Sequence, residues 1–231
     1  MKSLVVIPTY NEIENISSIL AEVLRVAPEA HILVVDDNSP DGTGEAVAKL
    51  AANSDRLFLL RRAMKEGLAL AYLAGFRWGI ERGYEALVQM DADFSHYPTD
   101  VPRILEGLKD HDLVVASRYT QGGFTSGWGW VRKLISRGGN FYARTILGAK
   151  IEDMTGGFNG WRRETLEKLH FETVRSKGYA YQVELKYRAC KSGCRVLEIP
   201  IHFRNRTLGS SKMSSAIVGE AAMRVWQMRQ A

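Results

Sequence analysis

Along the first half of the chain, apolar runs of strand length alternate with segments whose apolar residues recur three and four positions apart. Ser3 to Ile7, His31 to Val35, Leu57 to Leu60, Ala86 to Met90 and Asp112 to Ala116 read as buried strands. Between them, Ile16, Ile19, Leu20, Val23 and Leu24 mark a helix, Ala46, Val47 and Leu50 a short second one. Leu68 to Trp78 and Asp100 to Leu108 read as two more. Strands separated by helices at this spacing predict βαβ units: an α/β fold with a mostly parallel sheet flanked by helices, in one domain spanning 1–231. In such a sheet the residues just after the strand ends face the ligand crevice.

The second half has a different texture. Arg118 to Trp130 is rich in Gly, Thr and Ser, carries Phe124, Trp128 and Trp130, and predicts a mobile loop that serves as a lid. From Val131, basic and apolar residues interleave: Arg132, Lys133, Leu134, Ile135, Ser136 and Arg137, then Phe141, Tyr142, Ile146 and Leu147. This amphipathic helix suits a membrane interface or, equally, packing on the core with Arg137 and Arg144 solvated. The glycines of Thr155 to Gly160, ahead of a short helix, permit close backbone approach to a ligand or build a tight turn. Ala180 to Lys191 reads as a helix, and Arg195 to Phe203 as a late strand that Pro200 confines to an edge or terminal place. Ser215 to Gln230 forms a final helix whose broad apolar side packs on the core, a partner or lipid.

Composition narrows the class. With 231 residues, 45% hydrophobic and 25% charged, the chain is long enough for one large core. A net charge of +5 and a pI near 9.2 favour an anionic partner without choosing among nucleic acid, lipid headgroups and phosphorylated substrates. Cys190 and Cys194 have no nearby His cluster and read as thiols in a reducing compartment. The N-terminus has no signal-peptide pattern. No stretch approaches the roughly 18 to 20 apolar residues of a spanning helix, so the expectation is a protein without a transmembrane segment, soluble or resting on a membrane surface.

The chemistry gathers at the strand ends. Leu87-Val88-Gln89-Met90 stops at Asp91-Ala92-Asp93, two carboxylates that suit a hard cation such as Mg²⁺ or Mn²⁺, with substrate phosphates completing its shell. Thr9 to Glu12 and Asp36 with Asp37 end two further strands, and a parallel sheet puts all three clusters at one edge, where Glu12 or Asp37 can accept hydrogen bonds from a nucleotide's base or ribose. Arg204, Arg206 and Lys212, in a Gly/Ser setting, suit a phosphate clamp, an exposed turn or nucleic-acid contact. The absence of Gly-x-Gly-x-x-Gly after the first strand and of a Walker-type loop disfavours dinucleotide oxidoreductases and P-loop enzymes.

With these residues in place the chain resembles the inverting family 2 glycosyltransferases of GT-A (Rossmann-like) fold, specifically the dolichol-phosphate or polyprenol-phosphate mannosyltransferases. The resemblance rests on Ile7-Pro8-Thr9-Tyr10-Asn11-Glu12, Val35 to Thr43, Met90-Asp91-Ala92-Asp93-Phe94-Ser95-His96, Ser117-Arg118-Tyr119, Arg132 to Asn140, Thr155-Gly156-Gly157-Phe158, Ser176 to Tyr179, and Arg206 through Gly209 to Ser211-Lys212. It implies that Pro8, Tyr10, Glu12, Val35 and Asp37 hold the guanosine of GDP-mannose. Asp91 and Asp93 would bind Mg²⁺ or Mn²⁺ with the diphosphate, Ala92 lining the same pocket. Arg118, Arg206 and Lys212 would contact donor phosphates or the leaving group. Arg118, Arg132 and Ser136 would cradle the acceptor phosphate.

The implied reaction moves mannose to a polyprenol monophosphate with inversion, at the cytoplasmic face of a membrane. Some relatives carry transmembrane helices after the catalytic domain, so attachment here would use amphipathic surfaces or a separate anchoring protein. An acceptor that is already anionic needs positioning rather than a general base. The alternatives are another donor such as UDP-glucose, or a non-catalytic nucleotide-sugar-binding subunit. A nucleic-acid partner is the weakest reading, since no binding module is present.

Overall fold

Two opposed apolar faces on the same strands give the molecule its layers. The computed structural model describes residues 1–176, 178, 180–205 and 215–230, with side chains in the last segment described from 223 onward. In chain order come β1 (Ser3–Thr9), α1 (Ile13–Val26), β2 (Ala30–Asp36), α2 (Thr43–Ala51), β3 (Leu57–Arg61), α3 (Leu68–Glu81) and β4 (Ala86–Gln89). A 3-10 turn at Pro98–Asp100 leads into α4 (Val101–Gly107), β5 (Leu113–Ser117), β6 (Phe124–Ser126) and α5 (Trp130–Leu147). β7 (Asn159–Arg162), α6 (Arg163–Lys168), α7 (Ala180–Lys191), β8 (Val196–Pro200), β9 (His202–Arg204) and α8 (Ser215–Gln230) complete the described chain.

Seven strands form one sheet in the order β3-β2-β1-β4-β7-β5-β8, parallel except for β7, which runs antiparallel to both β4 and β5. Alternate side chains of each central strand point to opposite faces, and both faces are covered, which is why the strands read as unbroken apolar runs. Leu4, Val6, Leu33, Val35 and Leu87 pack with Phe76 of α3, Leu147 of α5 and Leu185 of α7. Val5, Ile7, Ile32, Val34 and Val88 pack with Ile16 and Ile19 of α1, Val47 of α2 and Ile104 of α4.

β1 pairs in parallel with β2 and β4, Thr9 opposite Asp36 and Val6 opposite Gln89, so the acidic clusters that follow these three strands do emerge at one edge.

Three expectations need correction. Arg118 to Trp130 is not wholly loop: Phe124–Ser126 is β6, paired in parallel with β9, and Trp130 already opens α5. The late strand from Arg195 to Phe203 is two, because Ile201 separates β8 from β9 and the chain passes from the main sheet to the small one. β8 is an edge strand, as Pro200 at its end requires. The end of the glycine-rich segment is a strand, β7, because only Gly160 lets β7 lie flat beneath α4: a Cβ there would sit 2.3 Å from Ile104 Cγ2. Cys190 and Cys194 are both free thiols, each pushed up by burial. In α8, Val225 is buried and Met228 packs on the core, while Met223 and Trp226 are exposed.

Candidate active site

Each of the three crevice loops turns through a residue of positive φ: Asn11 (+60°) after β1, Asn38 (+56°) after β2 and Phe94 (+57°) after β4. Asn tolerates this left-handed conformation, whereas for Phe it costs on the order of 1 kcal/mol, strain of the sort that functional loops retain. Asp36 ties the first two loops together. Its carboxylate accepts from Thr9 Oγ1 (2.9 Å), Ser39 N (3.0 Å) and Ser39 Oγ (2.6 Å).

The adjoining Asp37 accepts instead from Arg62 Nη1 at 2.7 Å and from the amides of Glu66 and Gly67 at 3.3 Å. Pro8 lies opposite Val35 in the β1–β2 ladder, and Asp37 N donates to Thr9 O at 3.0 Å. The Glu12 carbonyl starts α1 by accepting from Asn15 and Ile16, and Lys65 Nζ lies 3.7 Å from the centre of the Tyr10 ring. The ends of β1 and β2 thus bring Pro8, Tyr10, Glu12 and Asp37 together, while Val35, paired with Pro8, is fully buried in the core beneath them.

The third loop carries Asp91, Ala92 and Asp93. Asp93 is nearly buried and turned back by Ser95, whose N and Oγ donate to Oδ1 at 3.0 and 2.5 Å. The Asp91 side chain is 28% exposed, and its Oδ1 accepts from the Tyr72 hydroxyl at 3.0 Å. Burial, and next the Asp91 charge, push the Tyr72 phenol well above its usual range, so it stays a donor. His96 Nδ1 stands 4.0 Å from Asp91 Oδ2, but this is no ion pair. The nitrogen accepts from Asp91 N at 3.2 Å, and burial lowers the imidazole's pKa, so His96 is neutral with its proton on Nε2.

No group of three or more His, Cys, Asp or Glu among the described residues is arranged to hold a metal. Two carboxylates from one short loop fit a hard divalent ion that keeps waters and takes phosphate oxygens, and do not fit a closed protein cage.

Arg118, at the end of β5, is held from behind. Asp153 Oδ2 accepts from its backbone N (2.9 Å) and Nε (2.8 Å), Oδ1 accepts from Nη2 (2.7 Å), and Nη2 also donates to Thr155 Oγ1 at 2.8 Å. Thr155 is joined in turn to Asn140 of α5, whose Nδ2 donates to Thr155 Oγ1 (3.0 Å) and Ser136 O (2.9 Å). Lys186, fully buried in α7, donates to the carbonyls of Asp153 (2.7 Å) and Gly156 (2.8 Å). Burial pulls its ammonium down to about 8 despite the Asp153 charge. Asp153 is held at about 2, the Arg118 and Lys186 cations outweighing its burial.

Asp153 and Lys186 escape the sequence reading, and Asn140 and Thr155 enter it only as members of motifs, without a role. Asn140 and Lys186 lie far in the chain from Asp153 and Thr155, and the one signal is the polar Asp153 and Thr155 flanking Met154 ahead of the paired glycines.

Arg132 Nη1 donates to Asn205 Oδ1 at 2.8 Å and its guanidinium lies 4.1 Å from the centre of the Trp128 ring, while Ser136 Oγ accepts from the Tyr119 hydroxyl at 2.7 Å. A series of rings joins this region to the carboxylate loop: His96 stacks on Phe158 (4.8 Å) and meets Phe203 edge-on (5.3 Å), and Phe203 meets Trp128 (5.4 Å). Arg118 lies over both Phe203 and Trp128. Asp91, Arg118 and Arg132 are thus tied into one packed unit. Arg206 and Lys212, the expected leaving-group cations, lie outside the described residues. No described helix is long and apolar enough to cross a membrane.

Residues 4–170 match the family model for glycosyl transferase family 2. The chain is 47% identical over 225 residues to an undecaprenyl-phosphate mannosyltransferase of Micrococcus luteus, covering 97% of this chain and 93% of that one. It is 47% identical over 232 residues to a polyprenol monophosphomannose synthase of Mycolicibacterium smegmatis, covering 99% and 88%. Among solved structures, a mannosyltransferase from Pyrobaculum calidifontis, in complex with GDP-Man and Mn²⁺, superposes with a TM-score of 0.60 at 17% identity, covering 99% of this chain and 73% of that one. A mycobacterial protein superposes at 0.70 with 18% identity, covering 98% and 73%. At these identities the likeness is one of fold: the mostly parallel sheet is of the GT-A type.

Proposed function

The chain belongs to glycosyl transferase family 2, and from that premise we propose that it transfers mannose from GDP-mannose to a polyprenol monophosphate with inversion at the anomeric carbon. The observation that carries this reading is the 47% identity, over almost the whole chain, to an undecaprenyl-phosphate mannosyltransferase and a polyprenol monophosphomannose synthase. The geometry agrees with it. In the reaction an acceptor phosphate oxygen bonds to the sugar's anomeric carbon as the bond from that carbon to the β-phosphate oxygen breaks, and the electron pair leaves on GDP.

Pro8, Tyr10, Glu12, Val35 and Asp37 hold the guanosine, with Asp37 pre-oriented by Arg62. Asp91 and Asp93 hold a divalent ion, Mg²⁺ or Mn²⁺, Ala92 lining the same pocket, and the bound ion supplies charge stabilisation for the departing diphosphate. Arg206 and Lys212 are assigned to the same leaving group. Arg118, with Arg132 and Ser136, orients the acceptor phosphate, which needs no general base. The enzyme acts at the cytoplasmic surface of a membrane, held by amphipathic surfaces or by a separate anchoring protein.

The test is a purified-protein assay with radiolabelled GDP-mannose, UDP-glucose or UDP-N-acetylglucosamine and polyprenyl phosphate. Label reaches the lipid from GDP-mannose alone, and Asp91→Ala abolishes it. Transfer from a UDP-sugar instead, or nucleotide binding without turnover, overturns the reading.

A further inference from the structure

Strand order sets out, along the crevice edge, the groups that a nucleotide sugar would meet. Tyr10 and Asp37 follow β1 and β2, and Asp91 follows β4. The next strand is β7, whose first residue, Asn159, is paired with Gln89 of β4 on one side and Val115 of β5 on the other. The chain enters β7 through Gly157, between the carboxylate loop and Arg118 at the end of β5. A donor with its nucleoside at β1 and β2 and its diphosphate at β4 brings its sugar to Gly157.

A hydrogen-bond donor without an acceptor stands at that point. Trp161 Nε1 can only donate, so Gln89 Oε1, 2.8 Å away, is the accepting end of its amide, and the same oxygen takes Asn159 Nδ2 at 3.3 Å. Asn159 Nδ2 also donates to Gln182 Oε1 at 3.0 Å. These bonds fix the orientation of each amide in turn and turn Gln182 Nε2 away from Asn159. Gln182, in the first turn of α7, is 1% exposed, and its Nε2 has no hydrogen-bond partner among the described residues. The adjacent Tyr181 hydroxyl is equally buried and equally unpartnered. Its ring stacks on Tyr72, and burial, then the Asp91 charge, raise its phenol well above the usual range, so it too is a donor. The Gln182 amide is near enough to temper that rise, yet the two groups make no hydrogen bond with each other. Buried polar groups in folded proteins are paired, and an unpaired one beside a ligand crevice marks a contact that the ligand completes.

Gly157 gives access to these donors. It is half-buried, and a Cβ on it would meet Gln182 Nε2 at 3.7 Å and His96 Cε1 at 3.9 Å. A side chain would thus fill the approach to Nε2 that glycine leaves open. The amide, the phenol and the neutral imidazole around this approach carry no charge, which suits the hydroxyls of a sugar and does not suit a phosphate.

We propose that Gln182 Nε2 and the Tyr181 hydroxyl donate to hydroxyls of the hexose carried by the donor nucleotide, in a subsite that Gly157 leaves open. The inference rests on the reading of the chain as a nucleotide-sugar transferase. It adds the residues that hold the sugar between the diphosphate at Asp91 and the acceptor at Arg118.

Calorimetry in Mg²⁺ without acceptor tests it, comparing GDP-mannose with GDP, the same nucleotide without the hexose. Gln182→Met keeps the length of the side chain and leaves Asn159 Nδ2 its other acceptors, Gln89 Oε1 and Gly156 O. Tyr181→Phe keeps the ring stacked on Tyr72. Gly157→Ala adds a methyl at ordinary contact distance from its neighbours. Circular dichroism confirms the fold of each. Every one of the three weakens GDP-mannose by about tenfold and leaves GDP within about twofold of the wild type. Arg62→Ala, at the nucleoside end, weakens both ligands alike.

An equal change in both ligands, or no change, in Gln182→Met and Tyr181→Phe overturns the subsite and assigns the two donors to ordered water. A wild type that binds UDP-glucose or UDP-N-acetylglucosamine in place of GDP-mannose defeats the mannose reading alone. The same variants, compared on that nucleotide sugar and on UDP, then decide the subsite by the same criterion.

Discussion

Asp153 grips Arg118 at three points, accepting from the backbone N, Nε and Nη2 at 2.9, 2.8 and 2.7 Å, with both side chains out of solvent. The carboxylate spends its lone pairs on Nε and Nη2, and Nη1 makes no hydrogen bond among the described residues. In this arrangement Arg118 is an oriented donor, and the orientation is the work of residues behind it.

Asp153→Asn separates that role from simple loss of charge. Asparagine keeps the size but cannot accept from both Nε and Nη2, so Arg118 loses its bidentate partner. Turnover falls by on the order of 100-fold, as misplacement of a positioning group costs, and KM for the lipid acceptor rises, while KM for GDP-mannose is unchanged. Steady-state kinetics with each substrate varied checks the split; an equal rise in both KM values refutes it.

The same variant has a signature in pH. Asp153 titrates at about 2 in the folded protein against an ordinary 3.8, so its contribution is complete above about pH 4 and is lost as pH falls through the interval down to 2. The shift corresponds to about 2 kcal/mol. Urea unfolding of the wild type weakens across that interval by this amount. Asp153→Asn starts about 3 kcal/mol lower at neutral pH, because it leaves a buried guanidinium underpaired, and lacks this part of the acid loss.

At the nucleotide end, Asp37 and Arg62 form a nearly buried pair, their side chains 6% and 10% exposed. Arg62 fixes Oδ1 while the amides of Glu66 and Gly67 hold Oδ2, so the carboxylate is held in one orientation. Arg62→Ala frees it. The expected result is a rise of about tenfold in KM for GDP-mannose with turnover nearly kept, and calorimetry with GDP shows the same loss of affinity. A fall in turnover with KM unchanged contradicts it.

The parts of the fold that were legible are those with a period. β1, β2, β4 and β5 announce themselves as apolar runs, and Asp91, Asp93 and Asp37 follow because the ends of parallel strands share an edge. β7 has no such period: Asn159-Gly160-Trp161-Arg162 mixes polar, tiny and large residues because each meets a different neighbour. Asn159 and Trp161 both donate to Gln89 Oε1, and Gly160 passes under α4. Asp153 was illegible for a similar reason, since its partners Arg118 and Lys186 are 35 and 33 positions away and no local pattern marks a pair that only the fold assembles. β6 pairs with β9 across a still longer separation, and a strand of three residues carries too little pattern to be read alone.

Gly160→Ala tests how tightly that missed strand is packed. The new methyl would begin 2.3 Å from Ile104 Cγ2 and 3.0 Å from Leu108 Cδ1, both in fully buried residues. α4 must shift, at a cost of about 2–3 kcal/mol. Ile104→Ala on its own leaves a cavity and costs a similar amount. Combined, the two changes occupy the same space and recover much of the loss, which chemical denaturation of the four proteins reveals as a coupling of about 1–2 kcal/mol. Strict additivity refutes the contact.

The last prediction concerns the carboxylate loop itself. Tyr72 is fully buried in α3, stacked on Tyr181 at 5.9 Å, and donates to Asp91 Oδ1 at 3.0 Å. The opposite side of the same residue is held by His96, whose neutral Nδ1 accepts from Asp91 N. Asp91 is therefore fixed at its side chain and its backbone by groups that would not themselves touch an ion. Tyr72→Phe keeps the ring packing and removes only the hydroxyl, so the fold is retained while one oxygen of Asp91 loses its support. Loss of such a supporting hydrogen bond weakens metal binding by about 10- to 100-fold. The Mn²⁺ or Mg²⁺ concentration giving half-maximal transfer rises accordingly, and saturating metal restores most of the rate. Asp91→Ala is not rescued at any concentration. Metal-dependent GDP binding by calorimetry gives the same order without turnover, and a Tyr72→Phe enzyme with wild-type metal dependence refutes the role.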